Sequence, residues 1–120
     1  MHTLLIIDDD PDYQYLLATL LGFDGYKILK ATNPLEAMPI IQKDKIDLII
    51  MELKNQYLEG IQFIKWMNNE VNIEIPILII TALQKNEAQE MVKAVQLKYI
   101  LHKPSYKKNI INKIKRLIKN

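Results

Sequence analysis

The chain has 120 residues, 49% hydrophobic and 25% charged, a length and balance that suit one globular domain over residues 1–120 with its own core. It has no cysteine, which excludes disulfides, thiolate metal centres and cysteine nucleophiles and fits a reducing, cytoplasmic setting. Its net charge of +2 is unevenly placed: nine bases against 14 acids leave −5 on the first 102 residues, and the last 18 residues carry +7.

Residues 3–7 are a short, continuous apolar run, which predicts a strand buried on both faces. The run is too short to span a membrane and follows no basic leader, so no signal peptide or membrane association is expected. Asp10 is an N-cap for a helix that opens on Pro11. That helix is expected to run to about Leu21, with Tyr13, Leu16, Leu17, Leu20 and Leu21 on one face, and to end at Gly22. A second strand is predicted over residues 26–31. Asn33-Pro34 opens a second helix by the same device, and Pro39 inside it predicts a kink or a short helix.

The third strand is expected over residues 47–52. A loop through Asn55, Gln56 and Tyr57 then leads to Gly60 and a helix ending near Asn69. Strand four starts at Pro76, helix four covers roughly 87–96, and strand five covers 99–102. Helix five is predicted from about Tyr106 to Ile118, with Ile110, Ile111, Ile114, Leu117 and Ile118 inward. Seven bases lie from Lys103 onward, and they read as a solvated helix face near a helix C-terminus. No aromatic or glycine pattern of a nucleic-acid module accompanies them, so nucleic acid is not expected as a partner of this domain alone.

Strands alternating with helices, each strand apolar throughout, predict an α/β fold with a parallel sheet and helices on both faces. Ligands of such sheets bind beyond the carboxyl ends of the strands. Those ends carry Asp8-Asp9-Asp10, Glu52, Thr81 and Lys103-Pro104, each directly after an apolar run. Clustered carboxylates suit Mg²⁺ with retained waters, a lysine neutralises phosphoryl charge, and a threonine hydroxyl hydrogen-bonds a phosphoryl oxygen. There is no glycine-rich phosphate loop, no Ser-His-Asp order and no metal-binding histidine pair. His2 and His102 read as surface residues.

Taken in order, these motifs resemble the receiver domain of bacterial two-component response regulators over essentially the whole chain. Asp8 and Asp9 match the acidic pair, and Glu52 stands at the phospho-acceptor position, five residues after Asp47. Gly60 lies eight residues beyond Glu52. Thr81-Ala82 matches the hydroxyl switch residue and its small neighbour, and Lys103-Pro104 matches the lysine and proline after strand five. The resemblance implies a flavodoxin-like (βα)5 fold of strand order 2-1-3-4-5. It implies a metal site of Asp8, Asp9 and Glu52 with weak Mg²⁺ binding, a phosphate switch of Thr81 and Lys103, and a usually cis Lys103–Pro104 bond. It also implies a sensor histidine kinase or other signalling protein as partner, and an output surface on helix four, strand five and helix five.

The chain departs from that family at four places. The acceptor is Glu52 rather than aspartate. Gln56 replaces a usual proline, and Ile100 stands where an aromatic is usual, with Tyr99 one residue away. Val95-Gln96-Leu97-Lys98 lacks the usual glycine. An extra methylene carries the Glu52 carboxylate outward by about 1.5 Å. From there it can reach Lys103 and Thr81, imitating a phosphoryl charge, while losing the geometry of in-line attack. The expected function is therefore a phosphorelay-type receiver that is not normally phosphorylated, signals through protein contacts and releases no small-molecule product as an enzyme would. Alternatives are a phosphate- or nucleotide-binding flavodoxin-like protein, and an engineered Asp-to-Glu phosphomimic; the changes at Gln56 and Ile100 favour natural divergence. With no effector domain in the 120 residues, the chain reads as a stand-alone regulator or a piece of a longer protein.

Overall fold

A computed structural model describes residues 1–54, 57–71, 74–93 and 99–118. The expectations at Asn55, Gln56 and Val95-Gln96-Leu97-Lys98, and for the last turn of helix four, fall outside these residues. The strands are β1 (Thr3–Ile7), β2 (Lys27–Ala31), β3 (Leu48–Met51), β4 (Ile77–Thr81) and β5 (Ile100–His102); against expectation β2 is not apolar throughout, because it lies at a sheet edge and carries exposed Lys27 and Lys30. They alternate with α1 (Pro11–Phe23), α2 (Pro34–Lys43), α3 (Tyr57–Asn69), α4 (Lys85–Lys93) and α5 (Lys107–Leu117). The strands pair in parallel in the order β2-β1-β3-β4-β5, as expected from the resemblance.

Successive strand residues point to opposite faces of the sheet, so each strand feeds two cores. Leu5, Ile7, Ile49, Met51, Ile77 and Ile79 pack on one face with Ala37 and Ile41 of α2 and Phe63, Ile64 and Met67 of α3. Leu4, Ile6, Leu48, Ile50, Leu78 and Ile80 pack on the other with Leu17 and Leu21 of α1 and Ile110, Ile111 and Ile114 of α5. This two-sided burial explains why the runs are continuously apolar rather than alternating. Leu117 and Ile118 are half-buried at the margin of the second core.

Helix starts follow local capping. The Asp10 carboxylate accepts from the backbone N–H groups of Asp12 and Tyr13, and Pro11 fills the first helical position. Asn33 accepts from Glu36 N–H at 2.9 Å, while the Glu36 carboxylate accepts from Thr32 N–H. Helix stops follow longer-range packing, and here the structure corrects the sequence. α1 continues through Gly22 to Phe23, and the left-handed turn falls on Gly25, with φ of +89°. Leu16 points to solvent, because the buried face of α1 is set by Leu17 and Leu21 at a spacing of four. α2 runs ten residues with Pro39 inside. Pro76 precedes β4 and offers its carbonyl to Ile49 N–H rather than starting the strand.

α3 begins before Gly60, which is therefore a helical residue and not a helix start. A Cβ at Gly60 would clash with Leu53 Cδ2, and Leu53 is fully buried. Gly60→Ala gains helix propensity of about 1 kcal/mol but must displace Leu53 against a packed core, at roughly 1–3 kcal/mol. We expect a net loss of up to about 2 kcal/mol on denaturant unfolding, and a smaller cost for the same change made in a Leu53→Ala background.

The strand register brings the candidate residues to one edge. Ile7 pairs with Ala31 and with Met51, Met51 with Ile79, and Thr81 with His102. The next residue along β1, β3 and β5 is Asp8, Glu52 and Lys103. Strand order reverses between β1 and β3, so the sheet opens its crevice between Asp8 and Glu52. Asp47 lies at the opposite end of β3, where its carboxylate accepts from Thr3 N–H and ties β3 to β1.

Candidate functional site

Asp8, Glu52 and Thr81 are the buried polar or charged residues among the described residues, and all three stand at this edge. Backbone bonds fix their positions: Asp8 N–H donates to Ala31 O, Glu52 N–H to Ile7 O and Lys103 N–H to Thr81 O. The sheet itself thus holds three strand ends in register.

The Glu52 carboxylate is surrounded by donors. Oε2 accepts from Leu53 N–H at 2.7 Å, Lys54 N–H at 2.9 Å and the Thr81 hydroxyl at 2.5 Å. Oε1 accepts from Ala82 N–H at 2.8 Å and lies 3.2 Å from Lys103 Nζ. Thr81 Oγ1 in turn accepts from Leu83 N–H, so one hydroxyl joins the acceptor position to the β4–α4 loop. Burial acts to raise the Glu52 pKa. The bonds from Thr81, Ala82 and Lys54 and the Lys103 charge outweigh it, leaving the carboxyl below its ordinary value.

Lys103 Nζ also donates to Asp8 Oδ2 at 2.8 Å, and Asp8 Oδ1 accepts from Asp10 N–H. The Asp8 carboxyl lies above its ordinary value, chiefly because it is buried; repulsion from Glu52 is the least of the contributions. The ammonium of Lys103 rests 3.9 Å from the centroid of the Tyr13 ring. Burial, followed by the charges of Asp8 and Glu52, pushes the Tyr13 hydroxyl up to about 12. A phenol harder to ionise in the fold than in the open chain adds stability that is complete below pH 10 and is lost as pH rises toward 12. Tyr13→Phe is therefore expected to flatten the alkaline loss of stability in that window, as read by urea unfolding at a series of pH values.

Asp8, Glu52, Thr81 and Lys103 thus meet in one contact network, with Asp9 half-buried beside them. The Lys103–Pro104 bond is cis. Other participants were not read from the sequence. Tyr13 was placed only on a core-facing helix side; its signal lay in the Asp10 cap, which sets the first turn of α1 over the strand ends. Two backbone amides after Glu52 and that of Ala82 carry no signal in residue type. His102, read as a surface residue, is half-buried with Nδ1 3.2 Å from Leu83 O, and His2 is half-buried as well. Ile100 is half-buried against the first core, and Tyr99 is 39% exposed with Lys113 over its ring.

Asp8, Asp9 and Glu52 were expected to form a metal site. Among the described residues, no group of three His, Cys, Asp or Glu side chains is placed to hold a metal ion. The reason is local. Both oxygens of Asp8 and both of Glu52 are engaged by nitrogen or hydroxyl donors, and Lys103 stands between the two carboxylates. As arranged, the Asp8 and Glu52 carboxylates are satisfied by donors of the protein itself.

Residues 4–115 match the response regulator receiver domain family. The chain is 32% identical over 79 residues to sporulation initiation phosphotransferase F of Bacillus subtilis, covering 66% of this chain and 63% of that protein. It has the same identity, over 79 residues, to the transcriptional regulatory protein GlrR of Escherichia coli, but spans only 18% of that protein's length. A two-component response regulator from Clostridium difficile superposes with a TM-score of 0.86 at 26% identity, over 98% of this chain and 95% of that one. The chemotaxis protein CheY4 of Vibrio cholerae superposes at 0.85 with 25% identity, over 98% of both chains. The chain belongs to the response regulator receiver domain family, the signal-receiving module of two-component systems. Such domains interact with histidine kinases and output domains and generally bind Mg²⁺ at the acceptor site. No helix among the described residues is long and apolar enough to cross a membrane.

Proposed function

We propose that this chain is a single receiver domain that transmits a signal through protein contacts, with the Glu52 carboxylate standing in for an acquired phosphoryl group. The supporting observation is the cradle on Glu52: four hydrogen bonds, from two amides after it, the Ala82 amide and the Thr81 hydroxyl, and the ion pair with Lys103. An aspartate, one methylene shorter, would leave the Thr81, Ala82 and Lys103 donors to an incoming oxyanion. Here the protein's own carboxylate takes them. A ligand or charge shifts a receiver's balance only by its differential contacts with the two forms. Glu52 makes its contacts with Thr81 and Ala82, so it favours the form in which the β4–α4 loop is drawn inward.

In this reading the chain does not release a small-molecule product. It takes signals from a sensor histidine kinase or another signalling protein and presents α4, β5 and α5 as its output surface. His102 supports the link, since its ring reaches from β5 to the carbonyl of Leu83 in the same loop. The bias is weaker than phosphorylation would give, because a carboxylate has one charge where a phosphoryl group has about two.

The test compares amide NMR spectra of wild type, Glu52→Asp and Glu52→Ala without a phosphodonor. We expect residues 81–84 and α4 to differ between wild type and both variants, and Glu52→Asp to resemble Glu52→Ala. Three coincident spectra in this region would show Glu52 to be a passive replacement.

A further inference from the structure

The cation of this site deserves the same question as its anion. An ionised carboxylate offers about four lone-pair positions, and Glu52 already accepts four hydrogen bonds with Lys103 paired beside it at 3.2 Å. Asp8 gives one oxygen to the Asp10 amide and the other to Lys103. A Mg²⁺ ion demands near-octahedral oxygen ligands at about 2.0–2.1 Å and dehydrates reluctantly. To reach these two carboxylates it would have to strip them of amide, hydroxyl and ammonium partners at once.

Lys103 is held where such an ion would compete. Its side chain is only 16% exposed, with one carboxylate at 2.8 Å, another at 3.2 Å and an aromatic face at 3.9 Å. The two carboxylates are 4% and 5% exposed, so solvent screens them little. The aromatic wall is itself fixed: Tyr13 sits in the first turn of α1, where Asp10 accepts from its backbone N–H and Pro11 sets the entry of the helix. A ring face attracts a cation and offers no lone pair to a metal, so it favours an ammonium over a hydrated divalent ion.

We infer that Lys103 is the resident cation of this receiver: boxed by Asp8, Glu52 and the ring of Tyr13, it closes the site to divalent ions, and Tyr13 is the positioning residue that keeps it there. This goes beyond the stand-in role of Glu52, since Lys103 excludes the metal whether or not Glu52 biases the β4–α4 loop. It also separates this chain from receivers that take Mg²⁺ at the acceptor carboxylate. Its state would not follow the concentration of that ion.

Thermal unfolding of wild type, Lys103→Met and Tyr13→Leu tests the inference, with Mg²⁺ raised to tens of millimolar against sodium chloride of equal ionic strength. A ligand that binds only the folded form raises the midpoint by mass action. Wild type is expected not to respond. Lys103→Met should climb by several degrees as its two carboxylates acquire a cation, and Tyr13→Leu should fall between the two. A magnesium-dependent rise in wild type as large as in Lys103→Met overturns the inference. So does a Lys103→Met protein as indifferent as wild type, because Lys103 would then be withholding nothing. A Tyr13→Leu protein that behaves as wild type removes Tyr13 from the argument.

Should Lys103→Met not fold, wild type alone decides the matter. Substoichiometric Mn²⁺ should leave the amide signals of residues 8–10 and 52–54 as sharp as those of residues 45–47 at the opposite end of β3. Selective broadening at these positions would place a divalent ion in the site. The stand-in role of Glu52 is read separately, in the metal-free loop spectra of Glu52→Ala, so failure of one reading does not imply failure of the other.

Discussion

Glu52→Asp is expected to accept phosphate from acetyl phosphate in the presence of Mg²⁺ at least about 100-fold faster than the wild-type chain, in which no stable acyl phosphate should form. Removing one methylene withdraws the carboxylate by about 1.5 Å. The Leu53 and Lys54 amides follow directly in the chain, but Thr81, Ala82 and Lys103 come from other strands and stay behind. They would then face a space just beyond the carboxylate, the position an incoming phosphoryl group needs. The same withdrawal would release Lys103 Nζ from its 3.2 Å contact with Glu52, one of the three contacts that hold it. In wild type the Glu52 oxygens already accept from Thr81 and Ala82, the donors an incoming phosphoryl group would need. Intact-mass measurement gives the answer. One added phosphate in wild type, lost in Glu52→Gln, would sink the reading of Glu52 as a stand-in; an inert Glu52→Asp would show that the remaining departures of the chain matter more than the methylene.

Glu52→Ala should cost roughly 3 kcal/mol of folding stability, more than most substitutions outside the hydrophobic core. The side chain is nearly fully buried, and its loss strands the Thr81 hydroxyl and the amides of Leu53 and Ala82 in a site with little solvent. Lys103 keeps Asp8, which limits the loss below that of a fully orphaned buried charge. Glu52→Gln should lose less, because the amide oxygen still accepts while the charge is gone. The pH dependence carries the sign of the charge. The Glu52 carboxyl is more acidic in the fold than its ordinary value of 4.5, so its contribution is complete above that pH and disappears as pH falls below it. Asp8, shifted the other way, takes up its proton more readily in the fold and opposes part of that loss. Wild type minus Glu52→Gln stability, followed by urea unfolding from pH 7 downward, should shrink below pH 4.5. A difference that grew on acidification would mean that Glu52 is held as the neutral acid.

Much of this could be read before any coordinates. Four apolar runs ending in Asp8, Glu52, Thr81 and His102-Lys103 specify a two-sided parallel sheet, because strands buried on both faces favour such runs. Asp10-Pro11 and Asn33-Pro34 mark helix starts by bonds made within four residues, so they too are written locally. The meeting of the strand-end residues then follows from parallel pairing, which puts every carboxyl end on one edge.

What the tertiary structure alone decided lies in contacts between elements distant in sequence. Helix ends moved, past Gly22 and ahead of Gly60, because packing on the sheet outweighs the local preference of a glycine. Leu16 went to solvent because the rotation of α1 answers to the whole face that Leu17 and Leu21 bury, not to any single residue. The placing of Tyr13 over Lys103 joins residues 90 positions apart, and Glu52 could turn toward Thr81 only because β4 lies beside β3. Residue types at the strand ends, with parallel pairing, set which charges share the site. Whether they hold a metal ion or one another depends on ångström-scale side-chain geometry, which one strand, one helix and one lysine settle together and no local stretch of chain encodes.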